Sequence, residues 1–330
     1  MRVLVTGAGS LLLGGVASAL AARGDEVVCL QRRAVPGDAS SGVRHVQGDV
    51  RDLTAVAQAA EGCDAIVHGA ARVGVVGSWN DFRTVNVEGT ANVLRAAQDC
   101  GVGRFVHVST PSVAHSGHSL VGEGAAPAVT GRKGAYYAES KALAEQLVLQ
   151  AATGALAVVA VRPHLVWGPG DTQLVGRIVE RAAAGRLAMV GSGSALIDST
   201  FIDNAISAHI AALDAVQQGA ACNGRAYVVA NGEPRTVREL IEGICLAANV
   251  PFAPKHVPLS VAVRLGSVVE RVWPRLRDDE PPITRFLAEQ LGTAHWFDPR
   301  PARDDLGWVP HVSLDAGFEL LRRWFAALPA

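Results

Sequence analysis

Runs of apolar residues alternate with helix-type apolar patterns along the first half of the chain. Short apolar runs bounded by polar residues or glycine predict strands, and apolar positions recurring every three to four residues predict helices. Strands that alternate with helices form a parallel sheet covered on both faces, and such sheets bind ligands beyond the carboxyl ends of their strands. The predicted strands lie at 2–6, 26–31, 44–47, 65–68, 104–109 and 157–162, and the predicted helices at 10–23, 53–60, 81–100 and 135–152.

After residue 162 the pattern loosens into turns that are rich in proline and glycine. Thr236 and Glu239 have the spacing of a capping box, which predicts that a helix begins there. A strand at 226–229 is expected to return to the sheet, and helices are expected at 173–184, 203–217 and 313–327. We therefore predict an α/β fold with a doubly wound parallel sheet and a smaller, interleaved substrate lobe. The sheet domain is assigned residues 1–166 with 200–231, and the lobe residues 167–199 and 232–330.

The composition is that of a globular protein with a sizeable core, since 49% of the 330 residues are hydrophobic. The net charge of -1 and the pI near 6.8 give no electrostatic reason to expect nucleic acid or an anionic membrane as partner. The apolar segment 259–276 is interrupted by Arg264 and Glu270, so it predicts an amphipathic core or lid helix, with a membrane-surface contact as the alternative. The chain begins with a strand and has no signal-peptide pattern, so we expect a cytoplasmic location.

The five cysteines are scattered, with neither CxxC pairing nor metal-ligand spacing. We expect them to be reduced core residues. The histidines also lack metal-ligand spacing, so no metal site is predicted.

Tyr137 and Lys141 stand four residues apart in the predicted helix at 135–152, which places both side chains on one helical face. A neighbouring ammonium stabilises a phenolate, so Lys141 is expected to lower the pKa of Tyr137 toward the range of efficient proton transfer. Tyr137 could then protonate a carbonyl or deprotonate an alcohol. Tyr136 is the rival, but the residue four after it is Ser140, which carries no charge.

A glycine-rich turn at 6–15 follows the first strand and opens the first helix. At that position backbone N–H groups and the helix dipole can hold a pyrophosphate. The second strand ends at Gln31, Arg32 and Arg33, where NAD-preferring sites usually carry an acidic residue. An arginine there accommodates a 2′-phosphate, so NADP(H) is the preferred cofactor, with NAD(H) as the alternative.

These features, taken together with four further segments, resemble the extended short-chain dehydrogenase/reductases, which have a Rossmann fold. The resemblance covers nearly the whole chain and lies in the order, spacing and strand-end placement of the motifs. The four segments are 49–50, 68–71, 86–90 and 109–113.

The resemblance implies a catalytic triad of Thr110, Tyr137 and Lys141, in which Ser109 and Ser112 are alternatives to Thr110. It also implies direct hydride transfer between a nicotinamide and a ketone or secondary alcohol, with Lys141 binding the nicotinamide ribose. By the same resemblance Asp49 and Val50 hold the adenine, Ala70 and Ala71 line the cofactor channel, and Asn86 steadies the active site. The remaining predicted cofactor contacts are Gly7, Gly9, Ser10, Leu11, Leu12, Arg32, Arg33, Pro163 and Val166.

The glycine-rich turn departs from the pattern Thr-Gly-x-x-Gly-x-x-Gly of these enzymes. Ser10 stands at the second glycine and Leu13 at the third, which normally allow close pyrophosphate approach and helix-to-strand packing. We expect Ser10 to present its N–H to the cofactor and Gly14 to take over the packing role.

The segments 198–209, 283–291, 295–297 and 302–308 are similar to the 3β-hydroxysteroid dehydrogenase-like branch. Within it, the segments 109–113 and 198–209 are most similar to bacterial 2-alkyl-3-oxoalkanoate reductases. The resemblance implies an apolar keto or hydroxy substrate, and the Leu-, Val- and Trp-rich second half agrees with one. A sterol dehydrogenase remains an alternative. Arg162, Arg177, Arg181 and Arg186 keep a nucleotide-sugar epimerase or dehydratase open. The non-enzymatic alternative is an NADP-binding regulatory protein, and by analogy the chain forms a homodimer.

Overall fold

The computed structural model describes residues 1–33, 42–74, 76–114, 119–131, 135–152, 154–276 and 284–328. Within this part of the chain the strands are β1 (Arg2–Thr6), β2 (Glu26–Gln31), β3 (Val43–Gln47), β4 (Ala65–His68), β5 (Arg104–Val108), β6 (Leu120–Glu123), β7 (Ala157–Pro163), β8 (Val166–Trp167), β9 (Ala188–Val190), β10 (Leu196–Ile197), β11 (Thr200–Phe201), β12 (Arg225–Val229), β13 (Arg235–Thr236), β14 (Lys255–Val257) and β15 (His295–Phe297). The α-helices are α1 (Leu11–Ala22), α2 (Leu53–Ala60), α3 (Trp79–Phe82), α4 (Gly89–Asp99), α5 (Tyr136–Gln150), α6 (Val175–Ala183), α7 (Ile202–Ala215), α8 (Val237–Ala247), α9 (Leu259–Leu276), α10 (Arg285–Gly292), α11 (Arg300–Leu306) and α12 (Leu314–Ala327).

The central sheet of the described residues has seven parallel strands in the order β3-β2-β1-β4-β5-β7-β12. From β1 the chain adds β2 and β3 on one side, whereas β4, β5, β7 and β12 follow on the other side. The boundary between β1 and β4 is therefore the switch point at which doubly wound sheets bind dinucleotides. Thr6 at the end of β1 pairs in register with Leu30 of β2 and His68 of β4. The carboxyl ends of these three strands therefore form one edge, as the alternation of strands and helices predicts.

Helices cover both faces of the sheet and account for its two apolar cores. One core joins β-strand residues such as Val5 and Val67 to α1, α7 and α11, and the other joins residues such as Leu4 and Ile66 to α2, α4 and α5. Every residue of β4 is buried, as expected of a parallel strand with helices on both sides. The doubly wound architecture is therefore the observed fold.

The second half forms its own core on Trp167, which stacks against Phe318 and meets Phe201 edge to face. Helix α9 packs on α10 through buried Ala262 and through Gly266, where an added Cβ would lie 2.4 Å from the backbone N of Arg285. The opposite side of α9 exposes Leu265 and Val268. Within the described ranges, no helix has the length and apolar character that crossing a membrane requires.

Candidate active site

Helix α5 carries the tyrosine and the lysine that the sequence analysis predicts, and the lysine lies against the end of β5. Tyr137 is half-buried, whereas Lys141 is 3% exposed. The Lys141 ammonium donates hydrogen bonds to the carbonyl of Val108 (2.6 Å) and to Nε2 of His107 (3.2 Å). The lysine is thus held against the strand whose carboxyl end leads to Thr110.

Burial affects both groups in the direction that disfavours their charged forms. It raises the pKa of Tyr137 to about 12, opposite to the shift expected from a lysine one turn away. It also lowers the pKa of Lys141 to about 8, against the opposing influence of Glu145. The pKa of Tyr137 is therefore raised and not lowered as expected, and the cause is desolvation by burial.

Thr110 lies two residues beyond the end of β5 and caps a single 3₁₀ turn, Pro111–Val113, which packs against α5. Its Oγ1 lies 2.8 Å from the hydroxyl of Ser112 and accepts a hydrogen bond from the N–H of Ser112 (3.3 Å). Thr110 is half-buried, whereas Ser109 is buried with a hydroxyl that has no partner among the described residues. The half-buried hydroxyl at this strand end is therefore that of Thr110.

Asn86 lies in a π-helical segment, Arg83–Glu88, which divides the helix predicted at 81–100 into α3 and α4. Single π turns often mark functional sites. The Asn86 side chain accepts from the N–H of Arg72 (2.6 Å) and donates to the Arg72 carbonyl (3.0 Å) and the Ser140 hydroxyl (2.9 Å). Asn86 thereby ties the loop after β4 to the first turns of α5, and Ser140 is a partner that the sequence did not assign.

The glycine-rich turn leads into α1 with Ser10 as its N-cap. Ser10 Oγ accepts from the N–H of Leu13 (3.3 Å) and donates to the Gly7 carbonyl (3.0 Å). Its own N–H donates to that same carbonyl (3.0 Å), so it is engaged within the turn rather than presented as expected. Leu11 and Leu12 form the first turn of α1, whose N–H groups have no intrahelical acceptor.

Two glycines make room around Leu13. Its buried side chain packs over Gly69, where an added Cβ would lie 2.7 Å from Leu13 Cδ2. At Gly14 a Cβ would lie 2.9 Å from the Ala8 carbonyl, so Gly14 allows a close approach to the turn and not to a strand.

A cavity of about 880 Å³ opens beside this turn, and Gly9, Ser10, Leu11 and Val73 contribute to its wall. Gly7, at φ 83°, approaches the loop after β4 closely, since a Cβ there would lie 2.8 Å from the N of Ala70. The helix N-terminus and the glycine-rich turn fit a dinucleotide pyrophosphate.

The residues predicted around the adenine half lie at the ends of β2 and β3. Arg32 and Arg33 are exposed immediately after β2. Asp49 is half-buried and bonded by Arg51, whose guanidinium is the main cause of the lowered pKa of Asp49. Val50 is buried against Gly89, where a Cβ would lie 2.7 Å from Val50 Cγ2.

The segment after β7 is sharply bent between Pro163 and Val166. Leu165 has φ 44°, a backbone conformation that is uncommon outside glycine and often found at functional sites. Thr200 holds the bend, since its N–H donates to the Leu165 carbonyl (3.2 Å) and its hydroxyl to the His164 carbonyl (2.6 Å). Ala70, Ala71, Pro163 and Val166 are all half-buried.

Two further groups at the site escaped the sequence analysis. Glu145, four residues after Lys141, is buried and forms a two-bonded ion pair with Arg162 of β7. Glu145 could have been found from the sequence, because it lies four residues after Lys141. His107 could not, because its contact with Lys141 depends on how α5 packs beside β5.

Comparison with known proteins identifies the family. The model of the 3-beta hydroxysteroid dehydrogenase/isomerase family matches residues 28–251. A 2-alkyl-3-oxoalkanoate reductase of Stenotrophomonas maltophilia is 46% identical over 99% of this chain and 100% of the relative. The chain belongs to the 3-beta hydroxysteroid dehydrogenase/isomerase family. It is thus an NAD(P)-dependent oxidoreductase of the extended short-chain dehydrogenase/reductase type, as the sequence motifs indicate.

Two further comparisons agree with this family. A 2-alkyl-3-oxoalkanoate reductase of Shewanella oneidensis is 37% identical over 97% of this chain and 85% of the relative. Among solved structures, MoeE5 in complex with UDP-glucose and NAD has a TM-score of 0.75, with 22% identity and 99% of both chains covered. The structural likeness supports the fold of the family.

Of the described residues, no group of three or more His, Cys, Asp or Glu is arranged to hold a metal ion. The five cysteines are free thiols, and burial raises the pKa of Cys29 to about 11.

Proposed function

We propose that the chain is an NADP(H)-dependent reductase of 2-alkyl-3-oxoalkanoates, converting the 3-oxo group of such a β-keto acid to a 3-hydroxyl. The observation that carries the proposal is the 46% identity to a 2-alkyl-3-oxoalkanoate reductase over essentially the whole length of both chains. The placement of Tyr137 and Lys141 on α5, beside the strand end that leads to Thr110, supports it.

In this proposal the bound nicotinamide supplies hydride to the carbonyl carbon. Thr110 donates a hydrogen bond to the carbonyl oxygen, on which negative charge develops, and Tyr137 gives it a proton. A tyrosine with a pKa of about 12 is fully protonated at neutral pH, so it is ready to act as the acid. Lys141 then stabilises the phenolate that remains.

Of the four arginines that kept a nucleotide-sugar substrate open, Arg162 does not support one. Arg162 is 1% exposed, and its guanidinium is engaged by Glu145 and by the Ala126 carbonyl. Arg177 bonds Gln173, and Arg186 bonds Glu180. A diphosphate site would need guanidinium groups that are accessible and aimed at one place.

A substrate panel tests the proposed reaction. We expect NADPH consumption with a 2-alkyl-3-oxoalkanoate and none with a UDP-sugar, with a 3-ketosteroid as the rival substrate. Because β-keto acids lose CO₂ spontaneously, the stable 2-alkyl-3-hydroxyalkanoate should also be oxidised with NADP⁺ near pH 9. A higher kcat/KM for the steroid than for the keto acid would contradict the proposal.

The preference for NADP(H) is proposed from Arg32 and Arg33, which follow β2 in place of an acidic residue. A guanidinium can bind the 2′-phosphate, and a hydrogen bond to a charged group contributes about 1.5–3 kcal/mol. Replacing both with alanine is expected to lower kcat/KM for NADPH by about 10- to 100-fold and to leave that for NADH within about threefold. Arg23→Ala, which removes an exposed arginine at the far end of α1, is the control. A wild-type preference for NADH would contradict the assignment.

A further inference from the structure

The Lys141 ammonium is bonded on its sheet side by two acceptors of β5. The Val108 carbonyl accepts at 2.6 Å and Nε2 of His107 at 3.2 Å. Lys141 and His107 are 3% and 1% exposed, so solvent does not compete for these contacts. An ammonium has three N–H donors, and the third remains for the open side of the site.

The contact determines the protonation of His107. A lysine ammonium can only donate, so Nε2 must accept and the ring must be neutral with its proton on Nδ1. Nδ1 is buried and has no partner among the described residues. Burial and the charge of Lys141 both lower the pKa of His107 well below its ordinary value. His107 is thus a neutral acceptor with one defined tautomer.

The neighbouring His68 ring, 5.5 Å away between centroids, is also neutral and does not compete for the lysine. The Thr90 hydroxyl donates to the Asn86 carbonyl (2.6 Å), so His68 Nε2 must donate to Thr90 (2.9 Å). His68 Nδ1 therefore accepts from the hydroxyl of Thr6 (2.7 Å). Burial, together with the charge of Lys141, lowers the pKa of His68 to about 3.

The remaining charged or titratable groups facing Lys141 lie on its own helix. Glu145 raises the pKa of Lys141, but both of its carboxylate oxygens are bonded by Arg162. Tyr137 is protonated at neutral pH. Among the described residues, the direct side-chain partner of the ammonium is therefore a neutral histidine and not a carboxylate.

We infer that His107 is a positioning residue that holds the Lys141 ammonium against β5 and keeps its third N–H directed to the cofactor and Tyr137. The inference rests on the proposed role of Lys141 in the reaction. A neutral acceptor fixes the ammonium without neutralising its charge, so the charge stays available to stabilise the tyrosinate.

The test compares His107→Phe, which keeps a ring but removes the acceptor, with His107→Gln, whose Oε1 can replace Nε2. We expect His107→Phe to lower kcat/KM for the ketone by about 10- to 100-fold, the effect of losing a hydrogen bond to a charged group. The alkaline limb of the pH profile should move from near pH 8 to lower pH, because the charged lysine loses an acceptor. His107→Gln should restore both values to within about threefold of wild type.

The matched control is His209→Phe, which should keep the wild-type profile. His209 of α7 is also fully buried, and its Nε2 has no partner within the described part of the chain. An unchanged kcat/KM and pH profile in His107→Phe would overturn the inference. Full activity of Lys141→Met would overturn the role of Lys141, whereas no turnover of a 2-alkyl-3-oxoalkanoate by the wild type would overturn the proposed function.

A measurement on the wild-type protein tests the same geometry without a substitution in the core. Nitrogen-15 NMR of histidine-labelled protein should find the His107 ring neutral, with Nδ1 protonated and Nε2 unprotonated, from pH 6 to 9. The opposite tautomer, or a protonated ring, would contradict the acceptor role.

Discussion

Tyr137→Phe is expected to abolish turnover of the ketone while the protein still binds NADPH. The change removes the phenol oxygen that we propose protonates the substrate and leaves the ring, so the packing of α5 is kept. General acid catalysis contributes about 10²–10⁴-fold, and a loss in the upper part of that range is expected because the half-buried site limits replacement of the phenol by water. Turnover is measured by NADPH absorbance, and cofactor binding by quenching of tryptophan fluorescence.

Tyr136→Phe is the matched control. Tyr136 is exposed, and its ring lies against Trp79 (6.0 Å) and Phe82 (6.4 Å). Removing the Tyr136 hydroxyl should leave kcat within about twofold of wild type, because substitutions on the surface and away from a functional site usually have small effects. If Tyr136→Phe were the inactive variant, the catalytic assignment on α5 would be wrong by one residue.

The elements of the sheet were predictable because parallel strands buried on both faces read as continuous apolar runs. The strands at 2–6, 26–31 and 65–68 have the predicted bounds. The helix expected at 81–100 was not predictable in detail, because its π-helical segment depends on the hydrogen bonds of Asn86 to Arg72 and Ser140. Such contacts join residues that are distant in the chain.

The sequence predicts that Tyr137 and Lys141 lie close together, but it does not predict the electrostatics of the candidate site. Spacing places Tyr137 and Lys141 on one face of a helix, but it does not tell how deeply that face is buried. Burial raises the pKa of Tyr137, and the extent of that burial depends on how α5 packs against β7 and is bonded to β5. The accommodation of Leu13 by Gly69 has the same origin, because 56 positions separate the two residues.

The largest stability effect is expected from breaking the buried pair between Glu145 of α5 and Arg162 of β7. The two side chains are 0% and 1% exposed, and they are joined by hydrogen bonds of 2.8 and 2.5 Å. Glu145→Gln leaves a buried guanidinium without its counter-charge, which typically costs about 3–5 kcal/mol. The midpoint of urea unfolding should therefore fall well below that of the wild type.

Two further variants distinguish the cost of leaving one buried charge unpaired from the net contribution of the ion pair to the free energy of unfolding. Glu319→Gln removes a carboxylate that bonds Arg322 and Arg323 on the exposed face of α12, and surface pairs contribute only about 0–1 kcal/mol. The double variant Glu145→Leu with Arg162→Met replaces both charges with apolar groups of similar size, which should recover most of the stability lost in Glu145→Gln. If the single and double variants unfolded at the same urea concentration, packing and not the unpaired arginine would be the cause of the loss.

The same variants also test whether the ion pair positions α5, because this helix carries Lys141. If the double variant recovered stability but not kcat, the pair would fix the register of α5 against β7.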